Sequence, residues 1–494
     1  MPDPVDDATA DRLAPLSPSA AGDPARMHTY TAATDALAQQ VIDYALDRMR
    51  MDPPPLDAPR SPAELLAAVG ATITAEGMGG SAALRVWIDQ LAPACISEDH
   101  PRALSFVPTA PTEAATIFDL VVGASSIYAG SWLEGAGAVY AENQALRWIA
   151  DLAGLPPEAG GCFVSGGSAG NLSALVAARD AASHARTDAG LGRPARWRLA
   201  ASAEAHSSIA STARVMDVEV IDVPVDERGR LTGEALAATL AGLEAGSEPD
   251  RTDGLDGLFA VVATGGTTNA GMLDDLAGVA DVAAERGLWF HVDGAYGGAA
   301  LAAPSVRDQF AGIERADSLV VDPHKWLFTP FDCAALLYRQ PELARRAHTQ
   351  HAAYLEVMQQ RRTVDALEWD PSDFAYHLTR RARGLPLWFS LATHGTDAYR
   401  DAVEATLATA RAAAELIAGL DHVELVMEPT LSVVMFRRTG WTADDYRAWS
   451  DQALADGLTL TVPSSWRGDT VLRFCIVNPR TTIDDLAAIL DTMR

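Results

Sequence analysis

Val320-Val321-Asp322-Pro323-His324-Lys325-Trp326 decides how the chain is read. An apolar, strand-like run stops at Asp322, Pro323 breaks it, and a lysine follows between two aromatic side chains. Lys325 is the only lysine among 494 residues; every other fixed cation is arginine. A guanidinium stays protonated, whereas a lysine amine can lose its proton and attack a carbonyl. The chemistry that needs this is Schiff-base formation. An arginine-for-lysine bias could leave one survivor by chance, but the place of this one, at the end of a strand, argues for a site.

Working outward, helical and strand patterns alternate from about residue 114. Ala141–Leu152 reads as a helix. Cys162-Phe163-Val164 reads as a strand, followed by a glycine-rich turn and a helix over Asn171–Ala182. Strand-like runs follow at Trp197–Ala201, Val218–Val223, Leu258–Ala263, Leu288–Val292 and Ser318–Val321, with a helix at Ala277–Arg286. Short apolar strands alternating with helices predict an α/β fold with a mostly parallel sheet covered on both faces. The last hundred or so residues change character. A helix at Tyr399–Leu420, strands at Val423–Met427, Ser432–Phe436 and Val471–Ile476, and a helix at Ile483–Met493 predict a smaller C-terminal α/β domain. The expected division is a flexible tail at 1–26, a helical segment at 27–113 with its first helix near Thr31–Met51, a large domain at 114–370 and a small one at 371–494.

The net charge, 38 − 66 = −28, makes nucleic acid and anionic membranes poor partners. No apolar run reaches membrane-spanning length, and the acidic start, Met1-Pro2-Asp3-Pro4-Val5-Asp6-Asp7, lacks a secretory pattern. The four cysteines, Cys95, Cys162, Cys333 and Cys475, are scattered without metal-ligand spacing. A cytoplasmic location and no metal are expected.

Several strand ends carry chemistry-bearing residues. Ser165-Gly166-Gly167-Ser168-Ala169-Gly170-Asn171 lets backbone approach an anion at a helix N-terminus. It matches neither the P-loop nor the dinucleotide fingerprint. His291-Val292-Asp293-Gly294-Ala295 places a carboxylate at a strand's C-terminal end, where open α/β sheets bind ligands. His206 follows another strand, and Thr264-Gly265-Gly266-Thr267-Thr268 ends a third. A phosphate cradle, a carboxylate able to hold a heteroaromatic nitrogen protonated, a flat stacking partner and a lone lysine are together what pyridoxal 5'-phosphate requires. Asp293, His206 and Lys325 are the candidates for the last three roles.

Asp322-Pro323-His324-Lys325-Trp326, with Ala295 two residues after Asp293, resembles the group II pyridoxal-phosphate-dependent amino-acid decarboxylases, which include aromatic-L-amino-acid decarboxylases. Ser105-Phe106-Val107-Pro108-Thr109, Glu142-Asn143, Ala205-His206-Ser207-Ser208 and Leu378-Thr379-Arg380-Arg381 extend the likeness over most of the chain. The resemblance implies fold type I, the aspartate-aminotransferase fold, and a homodimer with active sites at the interface. It implies that Ser168, Ala169, Gly170 and His324 hold the phosphate, and that Thr268 contacts the carboxylate–histidine pair. It also implies that Tyr128 lines the partner's site. The family often has Asn where this chain has Asp322, and some members have Ser where it has Gly170. The family's loop tyrosine, which protonates the product carbon, aligns with Pro371. Tyr376 is the candidate replacement, with Phe374 close by and Tyr354 upstream.

These readings predict decarboxylation of an L-amino acid to an amine and carbon dioxide. An aromatic substrate is favoured, because Phe106, Tyr128 and Trp132 could furnish an apolar pocket; Thr109 is a further candidate substrate contact. An aldehyde-forming decarboxylase or an aminotransferase would use the same cofactor. A non-catalytic cofactor-binding protein is the third alternative.

Overall fold

The apolar runs form one sheet. Its strands are β1 (Gly160–Val164), β2 (Trp197–Ser202), β3 (Val218–Val223), β4 (Leu258–Thr264), β5 (Trp289–Asp293), β6 (Ser318–Val321) and β7 (Ala334–Tyr338). They lie in the order β1-β7-β6-β5-β4-β2-β3. The pairings among β2 to β6 are parallel, while β7 runs antiparallel between β1 and β6. The computed structural model describes residues 27–246, 254–351 and 369–494; the tail read at 1–26 and Tyr354 lie outside them.

Apart from the edge strand β3, whose Asp222 is exposed, the strands are buried on both faces, and successive side chains go to opposite cores. In β4, Val261 and Ala263 join one apolar cluster while Ala260 and Val262 join the other; in β6, Leu319 and Val321 separate from Val320 in the same way. Helices Gly167–Asp188, Ser207–Met216, Gly233–Glu244 and Leu276–Arg286 follow β1 to β4 and cover the sheet. The sequence reading leaves out β7, because a five-residue buried apolar run has no periodicity to separate strand from helix.

Contacts divide the chain into two units. One holds the residues up to Ala103 together with Ala448–Leu460; the other holds Leu104–Arg447 and Thr461–Arg494. In the first, helix Ala32–Arg50 starts at a Thr31 cap and helix Pro62–Val69 at a Ser61–Glu64 capping box. Arg48 pairs with Asp99 at 2.7 Å. The second holds the seven-stranded sheet and an antiparallel sheet of β8 (Val423–Leu425), β9 (Val433–Arg438), β10 (Ser464–Trp466) and β11 (Asp469–Cys475), ordered β10-β11-β9-β8. The Tyr296 hydroxyl, just beyond β5, meets Ser432 Oγ just before β9 at 2.6 Å, which ties the two sheets together behind the site.

Candidate active site

The parallel strands aim their C-terminal ends at one crevice, as open α/β sheets do. β5 ends on Asp293, which pairs in register with Thr264 at the end of β4. β6 ends at Val321, and a short helical turn, Pro323–Trp326, carries Lys325. β1 delivers the glycine-rich turn, but the helix there begins at Gly167 rather than near Asn171. Ser168, Ala169 and Gly170 therefore form its first turn. Glycine's low helix propensity hides this start in the sequence, and packing overrides it. A Cβ on Gly170 would lie 2.8 Å from Val320 Cγ2, so the serine of some relatives has no room here.

Asp293 is buried, and its two oxygens are held separately. Oδ2 accepts from Asn171 Nδ2 at 2.8 Å and Oδ1 from the Ala295 N–H at 3.1 Å. Asn171 Nδ2 also donates to Ser208 Oγ at 2.9 Å. Both amide hydrogens are then spent, so Asn171 Oδ1 accepts, and its partner His291 Nε2, 2.9 Å away, must carry the proton. His291 Nδ1 lies 2.8 Å from Ser318 Oγ, which takes the Trp289 indole N–H at 2.8 Å. Burial pushes the His291 pKa down to about 4 against the pull of Asp293 and the Ser318 hydrogen bond, which favours the neutral ring with its proton on Nε2.

The same chain fixes His206. Ser208 directs its N–H at His206 Nδ1, 3.2 Å away, and its Oγ lies 2.9 Å from the same nitrogen. Ser208 Oγ already receives the Asn171 hydrogen, so its own hydrogen goes to Nδ1. The His206 proton then sits on Nε2, on an exposed residue that stands as the N-cap of helix Ser207–Met216. Sequence reasoning missed Asn171, Ser208 and His291 as supports. The signal for His291 was available: two residues before Asp293 on one strand, it shares its face.

Lys325 Nζ lies 3.0 Å from Asp322 Oδ2. Burial alone would lower the lysine's pKa, but Asp322 and Asp293 outweigh it and the pKa is raised. His324 Nδ1 is 2.7 Å from the Cys333 carbonyl, and its Nε2 is 3.8 Å from Asp322 Oδ2. Burial lowers the His324 pKa despite Asp322. Thr268 is half-buried; among the described residues the Asp293 contact expected of it falls to Asn171 and Ala295.

The remaining candidates are spread around this centre. Thr109 is buried and donates to the Thr329 carbonyl at 3.0 Å. Tyr128 donates to the Leu378 carbonyl at 3.1 Å. Phe106 is 59% exposed with φ 55°, and Tyr376 is 66% exposed. Neither the Phe106 ring nor the Tyr376 phenol is packed into the chain's own core. Pro371 opens the turn Pro371–Asp373 and has no phenol to offer.

A cofactor with a phosphate and a reactive aldehyde fits these groups. The helix N-terminus offers backbone N–H groups, and Lys325, Asp293 and His206 converge beside it. Among the described residues, the buried Thr264 Oγ1 and Asp322 Oδ1 lack hydrogen-bond partners, as expected of atoms facing a ligand site.

A lysine at a strand end, a buried carboxylate one strand away and a helix-borne anion cradle on this sheet define a fold type I pyridoxal-phosphate enzyme. The sequence model of the pyridoxal-dependent decarboxylase conserved domain matches residues 86–439, and the chain belongs to that family. It is 28% identical to an aromatic-L-amino-acid decarboxylase of Bacillus atrophaeus, over 79% of this chain and 80% of that protein. It is 31% identical to one of Drosophila lebanonensis, over 77% and 94%. It is 30% identical to an L-2,4-diaminobutyrate decarboxylase of Rhizobium meliloti (strain 1021), over 80% and 77%. The fold matches a structure of Oryza sativa TDC with PLP and tryptamine at TM-score 0.82 and 24% identity, over 94% of this chain and 98% of that one. The protein is a pyridoxal-phosphate-dependent amino-acid decarboxylase, a carboxy-lyase.

Proposed function

We propose that this decarboxylase acts on an aromatic L-amino acid, with the roles below, as a homodimer whose partner completes the site. The observation that carries the roles is the convergence of Asp293, held at both oxygens, with Lys325 and the outward Nε2–H of His206 at neighbouring strand ends.

Bound pyridoxal phosphate supplies an electron sink for the pair left when carbon dioxide departs. Lys325 would hold the cofactor through its amine, the one nitrogen here able to bond an aldehyde carbon. Asp293, locked by Asn171 and Ala295, keeps the ring nitrogen's proton in place. His206 would stack on the cofactor ring, with its Nε2–H left free to bond the substrate carboxylate. Tyr376 returns one proton to the carbon that lost the carboxylate, so that amino acid plus proton gives amine plus carbon dioxide.

Two features support an aromatic substrate: the exposed Phe106, Phe331 and Tyr376 rings, which offer apolar faces to a flat side chain, and the aromatic decarboxylases among the relatives. The dimer is supported by Ile117, Leu120, Val121, Leu133 and Tyr140, exposed on helices Glu113–Ser125 and Trp132–Leu152, since apolar surface of this kind marks interfaces. The deciding experiment measures carbon dioxide release from tryptophan, tyrosine, phenylalanine, histidine, glutamate and 2,4-diaminobutyrate, alongside light-scattering mass. Faster turnover of a non-aromatic substrate, or a monomeric mass with full activity, overturns the corresponding part.

Pro371, standing where the family's protonating tyrosine aligns, favours a second reading in which the product is an aldehyde. Stoichiometric ammonia and peroxide would identify it, and a keto-acid requirement would indicate an aminotransferase.

A further inference from the structure

Asp322 sits in the mouth of the phosphate cradle. It is 2% exposed, and its Oδ2 accepts the N–H of Gly167, the first residue of the cradle helix, at 3.3 Å. A Cβ on Gly167 would lie 3.0 Å from Oδ2 and 3.2 Å from Oδ1, so the carboxylate lies directly over the helix start. Oδ2 also takes the Lys325 ammonium at 3.0 Å and stands 3.8 Å from His324 Nε2. Oδ1 is buried with no hydrogen-bond partner among the described residues. One side-chain anion thus occupies the backbone donor and the cation that an incoming phosphate and aldehyde need.

We propose that Asp322 is an internal anion that competes with the cofactor's phosphate for the helix N-terminus and holds Lys325 back as an ammonium, so that it sets how tightly the cofactor is held. This rests on the placement of the phosphate at the start of helix Gly167–Asp188. A buried carboxylate a few ångströms from a phosphate raises the free energy of the complex, because like charges at a shared site disfavour each other. The charges facing Asp322 are those of Lys325, His324 and, across Lys325, Asp293; the first turn of the cradle helix, Gly167-Ser168-Ala169-Gly170, adds no titratable side chain. Cofactor entry must therefore displace or neutralise this carboxylate. Lys325 must also give up one proton before its nitrogen can bond to the aldehyde carbon and release the aldehyde oxygen as water.

The test uses probes that cannot bond to lysine. Dissociation constants of pyridoxine 5'-phosphate and of unphosphorylated pyridoxine are measured by intrinsic fluorescence on cofactor-stripped protein, for the native chain, Asp322→Asn and Asp322→Ala. The expected result is about tenfold tighter binding of the phosphorylated probe in Asp322→Asn, with pyridoxine changed by less than about twofold. A gain of affinity specific to the phosphate is not what damage to the fold produces. If Asp322→Asn does not fold, Asp322→Ala carries the same expectation. Unchanged or weaker binding of the phosphorylated probe, or an equal gain for both probes, overturns the inference. In that case the visible band of native protein with pyridoxal phosphate still upholds the cofactor site. Loss of that band in every form, native included, overturns both.

Discussion

Lys325 is held by opposing effects. Burial favours its neutral amine, yet Asp322 and Asp293 draw the pKa upward, so the nitrogen is a cation until something displaces its partner. Arginine cannot make that change of state. Lys325→Arg is expected to fold with an unchanged melting midpoint, to show no visible absorbance band with pyridoxal phosphate, and to release no carbon dioxide; the band is read by titration against the native protein. The support of Asp293 is equally open to measurement. Asn171 is the only side chain among the described residues that bonds the Asp293 carboxylate, and the same amide orients Ser208 and His291. Asp293→Ala and Asn171→Leu are each expected to lower kcat by more than about tenfold. Cys333→Ala, whose buried thiol touches none of these groups, should change it by less than about threefold. Steady-state kinetics with equal effects at all three positions would remove the pyridinium role from Asp293.

At the scale of elements, the site depends on how closely the helix Gly167–Asp188 rides on β6. Gly170 is the contact: any side chain there meets Val320 at 2.8 Å, and Val320 is a fully buried, β-branched residue that has little freedom to move. Gly170→Ser is expected to cost ~1–3 kcal/mol of stability and to weaken cofactor affinity by lifting the helix start. The double change with Val320→Ala should restore most of both, read from melting midpoints and cofactor titration; failure to restore would place the effect elsewhere than in this contact. The strands that build the crevice were legible because β-branched and apolar runs stop abruptly at Asp293, Asp322 and Thr264. Lys325 was legible because it is alone. β7 and the true start of the cradle helix were not, since each is decided by tertiary packing over local preference. Asn171 was quoted within its motif without a role, because its partner lies 122 residues away and only the folded register of β1 beside the other strands reveals the meeting.

At the scale of the whole molecule, folding also buries carboxyl groups away from Lys325 and Asp293, and these contribute to how stability follows pH. Glu142, on helix Trp132–Leu152, is buried and accepts the Gly384 N–H at 2.7 Å. Burial raises its pKa from 4.5 to about 7, although Gly384, Arg380 and Arg383 pull it down. Asp274 behaves alike: burial raises it to about 7 against N–H donors from Thr264 and Leu231. A folded pKa above the unfolded one means that the folded state keeps its proton while the unfolded chain has lost it. The stability this contributes is fully present below about pH 4.5 and is lost as pH rises through about 7. Glu142→Gln keeps the acceptor for Gly384 and removes the charge. At pH 8 it is expected to stabilise the protein by ~1–3 kcal/mol and raise the melting midpoint by a few degrees. Below about pH 4.5, where the carboxyl is protonated in the folded and increasingly in the unfolded state, the two proteins should converge on the same midpoint. Melting curves of cofactor-loaded protein across this range check the sign directly, because a gain that grows toward low pH would mean that Arg380 and Arg383, and not burial, govern the carboxylate.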